Sequence, residues 1–213
     1  MRNFEDRLDA GKKLATVLTK YKNNTETLVI GVIRGGLIVA NEVAKYLELP
    51  LDFVIVRKIG CPDNRELGAG AITTTGEVIF KESILSKKQL TPQDFTEIIE
   101  EELKELKRRD DKFREYKTEQ IIEGKTIIVV DDGIAMGVTL KAVIMSLKKQ
   151  RPKKIILAVP ISSPNGKEYL ETEVNEIISF LPFQSFRDVE DFYEIFGDTT
   201  DTEVETILKS NRT

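Results

Sequence analysis

The chain reads as an α/β protein built on a parallel, doubly wound sheet with helices on both faces, and three observations predict it. Ile127 to Leu140 runs from four apolar β-formers through two adjacent aspartates into a loop bracketed by Gly133 and Gly137. Leu28 to Ala40 repeats the pattern, an apolar strand broken by Arg34-Gly35-Gly36 and resumed as a helix. Strand-like and helix-like segments then alternate along most of the chain, the order that parallel sheets require. Short runs rich in Ile and Val, without polar alternation, suit strands covered on both faces.

The elements follow in order. An opening amphipathic helix is expected from Phe4 to Lys20, with Leu8, Leu14, Ala15 and Leu18 as its buried stripe. Strands are expected at Leu28 to Ile33, Leu51 to Val56, Thr126 to Val130, Lys154 to Val159 and Glu176 to Phe180, and a helix at Val138 to Lys149. An insertion of about 59–123 holds a hairpin and a long charged helix. Thr91, Pro92 and Asp94 mark that helix's start, with proline at its first position. Phe95, Ile98, Ile99, Leu103, Leu106 and Phe113 give it one apolar face, which either packs on its own domain or serves a dimer contact or lid. Cys61 is expected in a mobile loop, and Gly68-Ala69-Gly70 in a loop turn.

With 213 residues, 40% of them hydrophobic, the chain supports one domain, 1–213, with a substantial core. A net charge of −4 argues against general nucleic-acid binding, so any attraction for phosphate must be local. No apolar run approaches bilayer length and Met1 leads straight into a charged segment, so a cytoplasmic protein without membrane contact is expected. The single cysteine excludes an internal disulfide, and the absence of histidine excludes a histidine base.

The aspartate loop carries the chemistry. Gly133 and Gly137 let the amides of the intervening Ile134, Ala135 and Met136 converge on a phosphate, and Thr139 adds a hydroxyl near the start of a helix beginning at Val138. That helix directs its partial positive end at the same place. Ionised Asp131 and Asp132 only accept hydrogen bonds, which suits the two hydroxyls of a ribose. Phosphate plus ribose implies a phosphorylated pentose. Arg34, beside Gly35 and Gly36, offers a fork of donors to further phosphate oxygens. A P-loop NTPase is rejected, because Gly124-Lys125-Thr126 has Glu119 where the first glycine belongs and precedes a strand. Gly68-Ala69-Gly70 fails as a dinucleotide fingerprint, since Thr73 holds the third glycine's place.

Apolar strand, Asp-Asp-Gly, small residues, Gly and Thr resemble the phosphoribosyl pyrophosphate (PRPP) motif of type I phosphoribosyltransferases. The resemblance implies that fold, with residues 181–213 and Pro160 to Pro164 supplying a small acceptor-binding hood in which Phe183, Phe186, Phe192, Tyr193 or Phe196 stacks on a planar base. It implies PRPP binding by Arg34, Gly35, Gly36 and the run Asp131, Asp132, Gly133, Ile134, Ala135, Met136, Gly137, Val138 and Thr139. Met136 stands where the family usually has Thr or Ser. It further implies that Arg57 and Lys58 reach the leaving pyrophosphate, and that Asp131, Asp132, Arg57 and Lys58 form the catalytic set. Mg2+ arrives on PRPP, held through water by Asp131 or Asp132. The acceptor's proton goes to a carboxylate such as Asp132 or Glu66, to water, or nowhere if the nucleophile is anionic. The implied protein is a homodimer that transfers the 5-phosphoribosyl group to a nitrogen of a base-like acceptor; a PRPP sensor without turnover is the alternative.

Overall fold

In the computed structural model, which describes residues 3–181 and 183–211, a seven-stranded, mostly parallel sheet forms the centre. The strands are β1 (Thr27–Ile33), β2 (Leu51–Cys61), β3 (Asn64–Thr73), β4 (Val78–Phe80), β5 (Thr126–Val130), β6 (Lys154–Val159) and β7 (Glu176–Ser179), in the order β4-β3-β2-β1-β5-β6-β7. β2, β1, β5, β6 and β7 run parallel, and β3 and β4 add antiparallel at one edge. The helices are α1 (Arg7–Thr16), α2 (Gly35–Leu47), α3 (Glu82–Lys88), α4 (Thr96–Arg114), α5 (Val138–Lys148), α6 (Pro164–Leu170) and α7 (Asp201–Ser210). The expected doubly wound α/β class is therefore found.

Alternating side chains of the buried strands feed two cores. Val29, Ile33, Ile128 and Val130 pack with α1, α2, α4 and α7, whereas Leu28, Ile30, Val32 and Val129 pack with α5 and Leu170. Every residue of β1 and β5 is buried, as a strand sandwiched between helical layers must be.

Several expectations need correction. Phe4 lies outside the first helix, pairing with Tyr193 instead; Asp6 caps α1 by accepting from Asp9 N, and the helix stops at Thr16. Leu8 is 44% exposed, because the stripe facing α2 is Ala10, Gly11, Leu14 and Ala15. β2 does not end at Val56. Its first half pairs with β1 as far as Ile55; its second half pairs with β3 from Val56 onward and continues through Arg57 and Lys58 to Cys61. Cys61 is thus a buried strand residue, and Gly68-Ala69-Gly70 lies within β3. The extension survives because Ile59, Cys61, Ala69 and Ile72 bury one face under Leu85, Phe95, Ile98 and Leu106 of the insertion's helical part.

The charged helix begins with a capping box between Thr91 and Asp94, a 3-10 turn Pro92–Phe95, and then α4. Its apolar face packs on its own domain: Phe95, Ile98, Leu106 and Phe113 are buried, with Ile99 and Leu103 against the same cluster. Buried Asp52 fastens its far end, accepting from Arg114 Nη1 at 2.6 Å and Gln120 N at 2.8 Å. Within the region expected as hood, α7 buries Val204 and Leu208 in the main core, so only the preceding residues, to about 199, lie near the strand ends. Of the regions expected as domain and hood, residues 1, 2, 182, 212 and 213 lie outside the described residues.

Candidate active site

The carboxyl ends of β1 and β5, with the middle of β2 beside them, open into a cleft of about 520 Å³. Val32 to Gly35, Val56 and Lys58, Gly68, Gly70 and Lys81, the whole run Asp131 to Leu140, and Asp188, Val189 and Phe196 line it. Ligand sites of open α/β sheets form at this end, where strand order reverses.

The aspartate loop has the open backbone that phosphate binding needs. Gly137, at φ +79°, occupies the N-cap position of α5 in the left-handed region, and no side chain caps the helix. Among the described residues, the amides of Ala135, Met136, Gly137, Val138 and Thr139 have no hydrogen-bond acceptor in the protein. The uncapped amino end of α5 thus faces the cleft with its donors free. Ile134 departs from the expectation: its N–H donates to Ile161 O at 3.0 Å and its carbonyl accepts from Ser163 N at 2.9 Å, so it anchors the loop instead of lending an amide.

Asp131 and Asp132 sit side by side at the end of β5. Asp131 Oδ1 accepts from the Asp132 amide at 2.9 Å. Burial, reinforced by the neighbouring Asp132 charge, pushes the Asp131 carboxyl well above the usual carboxylate range. Burial also raises Asp132, but Arg7 pulls it back toward ionisation. Arg7 donates from Nε to Asp132 Oδ2 at 2.8 Å, and from Nη1 to the carbonyls of Phe196 at 3.0 Å and Gly197 at 2.8 Å. Its guanidinium stacks 4.0 Å from the centre of the Phe196 ring. Tyr193 Oη donates to the Asp132 carbonyl at 2.6 Å. The first turn of α1 and the segment 193–197 therefore hold one catalytic candidate from two sides.

Gly36 makes this closeness possible. A Cβ there would stand 2.6 Å from Asp131 Oδ1, 2.8 Å from Asp131 Cα and 2.9 Å from Val130 O. Backbone cannot yield as a flexible side chain does, so Gly36→Ala is expected to lower stability by about 2–3 kcal/mol and to displace Asp131. A urea titration beside a turnover assay checks both effects.

The expected cations divide. Lys58 lines the cleft, and its positive charge acts on Asp131. Arg57, one residue earlier on a strand of alternating faces, does not line it; its guanidinium is paired with Glu102 of α4. Arg34 lines the cleft, with Nη1 3.9 Å from Asp201 Oδ1. Glu66 is exposed on β3 and outside the lining. Of the aromatics, Phe196 alone lines the cleft among the described residues; Phe192 and Tyr193 are buried with Phe4, and Phe186 packs on Phe192 at 5.1 Å. Phe183 lies instead beneath Lys167. Arg7, Lys81 and Asp188 are cleft or network residues that sequence reasoning missed. No motif surrounds them, and only the folded chain brings them to Asp132 or to the glycines of β3.

Similarity agrees with this geometry. The sequence model of the phosphoribosyl transferase domain family matches residues 2–191. A Mycobacterium tuberculosis protein, named provisionally as a phosphoribosyl transferase, is 34% identical over 208 residues, 98% of this chain and 47% of its own length. The chain thus spans about half the length of this curated relative. An adenine phosphoribosyltransferase of Mycoplasmopsis agalactiae is 37% identical over 65 residues, 30% of this chain and 38% of its own length. A crystal structure of a Thermus thermophilus protein superposes with a TM-score of 0.81 at 33% identity, covering both chains in full. A phosphoribosyl transferase fold with a cleft at its strand ends is what these observations define together. The chain belongs to the phosphoribosyl transferase domain family.

Proposed function

We propose that the protein transfers the 5-phosphoribosyl group of PRPP to a nitrogen of a base-like acceptor, releasing pyrophosphate. One observation carries the reading: the uncapped amino end of α5, with free amides from Ala135 to Thr139, stands beside the Asp131–Asp132 pair in a single cleft. The loop takes the 5′-phosphate, and the carboxylates accept from the ribose hydroxyls. The acceptor nitrogen forms a bond to C1 as the bond from C1 to the pyrophosphate oxygen breaks. Pyrophosphate leaves with that electron pair, and the acceptor's proton passes to Asp132 or water. Positioning the partners and stabilising the departing charge are the protein's work.

Among the described residues no cluster of three or more metal-ligating side chains occurs. The donor set still fits magnesium, since a hard cation that keeps its waters needs only one or two carboxylates, here Asp131 or Asp132, besides phosphate oxygens. Bound there it would neutralise charge on the pyrophosphate. No helix among the described residues is long and apolar enough to cross a membrane. We place the protein in the cytoplasm, as a homodimer, where PRPP and free bases meet it.

Pyrophosphate release from PRPP and magnesium, assayed against a panel of purines, pyrimidines and related heterocycles, tests the reading. Release with one base, lost in Asp131→Asn plus Asp132→Asn, is the expected result; saturable PRPP binding with no release from any base favours a PRPP sensor. Met136, 61% exposed in the phosphate loop, is the feature that favours the sensor, because it brings no hydroxyl to the phosphate. Met136→Thr is expected to tighten PRPP binding by about tenfold, the effect of one added hydrogen bond to a charged group, in calorimetric titration.

A further inference from the structure

The cleft's charges come from three places. Asp131, Asp132 and Asp188 lie at the end of β5 and in the 183–199 segment, Arg34 follows β1 and is 3.9 Å from Asp201, and Lys58 and Lys81 come from the β2–β3–β4 extension. Other cations of that insertion are tied up locally, Arg57 by Glu102, Arg65 by Glu101 at 3.2 Å and Lys88 by Asp63 at 2.5 Å, while Lys87, Lys104 and Lys107 lie outside the cleft lining. Neither Lys58 nor Lys81 has a hydrogen-bond or ion-pair partner for its ammonium among the described residues. Two cations without a direct ion pair, both lining one cleft, mark a place prepared for an anion.

Lys81 is set there by the ladder. Its amide donates to Ala69 O at 2.7 Å, directly after β4. A Cβ built on Gly68 would stand 3.6 Å from Lys81 Nζ, with no other heavy atom within 4 Å. Gly68 and Gly70 both line the cleft without side chains, so the ammonium reaches over bare strand backbone. Lys81 caps α3 only through its backbone, making no side-chain cap hydrogen bond, so the fold does not require its charge.

We propose that Lys81 is a pyrophosphate-binding residue, which with Lys58 grips the diphosphate of PRPP from the hairpin wall while the aspartates face the ribose. The assignment rests on the PRPP reading above. It gives the insertion the task that Arg57, tied to Glu102, does not perform.

The test is calorimetric titration of the full chain with magnesium pyrophosphate and, separately, with ribose 5-phosphate. Lys81→Ala is expected to weaken pyrophosphate by about tenfold or more and to leave ribose 5-phosphate within about twofold, with Lys81→Arg recovering most of the loss. Gly68→Asp, which supplies the ammonium with the counter-ion it lacks, is expected to reproduce the loss while Lys81 stays in place. Unchanged pyrophosphate affinity in both Lys81→Ala and Gly68→Asp, with the wild type binding both probes, overturns the role of Lys81 and leaves the transferase reading standing. Binding of neither probe by the wild type removes both.

Discussion

Asp131→Asn will abolish the proposed phosphoribosyl transfer and make the protein more stable. Asparagine keeps the oxygen that accepts from the Asp132 amide, so the loop stays in place. The lost carboxylate, however, is the one whose burial and neighbouring charge make ionisation costly. In the folded chain Asp131 holds its proton to higher pH than in the unfolded chain. Between the ordinary carboxylate pKa of 3.8 and the raised folded value, the native state therefore binds more protons, and stability falls as pH rises through that window. The asparagine variant lacks this part of the fall. A melting temperature higher by about 2–4 °C at neutral pH, the effect of about 1 kcal/mol in a chain of this size, is expected in magnesium-free buffer. A fall of about 100-fold or more in kcat/KM accompanies it. Thermal melts from pH 4 to 8 beside pyrophosphate-release kinetics read both; a variant no more stable than wild type contradicts the burial argument.

Arg7→Ala will move the acid side of the pH–rate profile upward. Arg7 is the counter-ion that holds Asp132 toward ionisation, so its removal lets burial raise that carboxyl further, and more acid-side activity is lost. The same change deprives Phe196 of the guanidinium behind its ring and leaves the carbonyls of Phe196 and Gly197 without their donor. A fall of about 100-fold in kcat/KM is expected, with Arg7→Lys restoring the charge but not the fork and recovering only part. A purely structural role for Arg7 would lower the melting temperature and leave the position of the acid limb unchanged. The profile separates the two.

The parallel sheet was legible because β1, β5 and β6 are continuous apolar runs, each followed by a turn and a helix, and nothing distant had to be known to read them. The Asp-Asp-Gly loop was legible for a similar reason: strand, carboxylates and glycines lie within one stretch of chain. β2 misled because its continuation past Val56 depends on Ile59 and Cys61 burying against α3 and α4, contacts made far along the sequence. Arg57 misled for the same reason, since its partner Glu102 lies 45 residues away. Arg7 was out of reach altogether: 125 residues separate it from Asp132, and its local sequence is that of an ordinary helix start.

The central claim, that this cleft moves a phosphoribosyl group from oxygen to nitrogen, is tested most directly by following the C1 carbon of 13C-labelled PRPP by NMR. The spectra are recorded with magnesium and each base of the panel. The account predicts that with one acceptor the C1 resonance moves to the region of a nitrogen-bonded ribose, in step with free pyrophosphate, and stays put in Asp131→Asn. A C1 signal that never leaves its PRPP position, or that becomes ribose 5-phosphate whatever base is added, would contradict it.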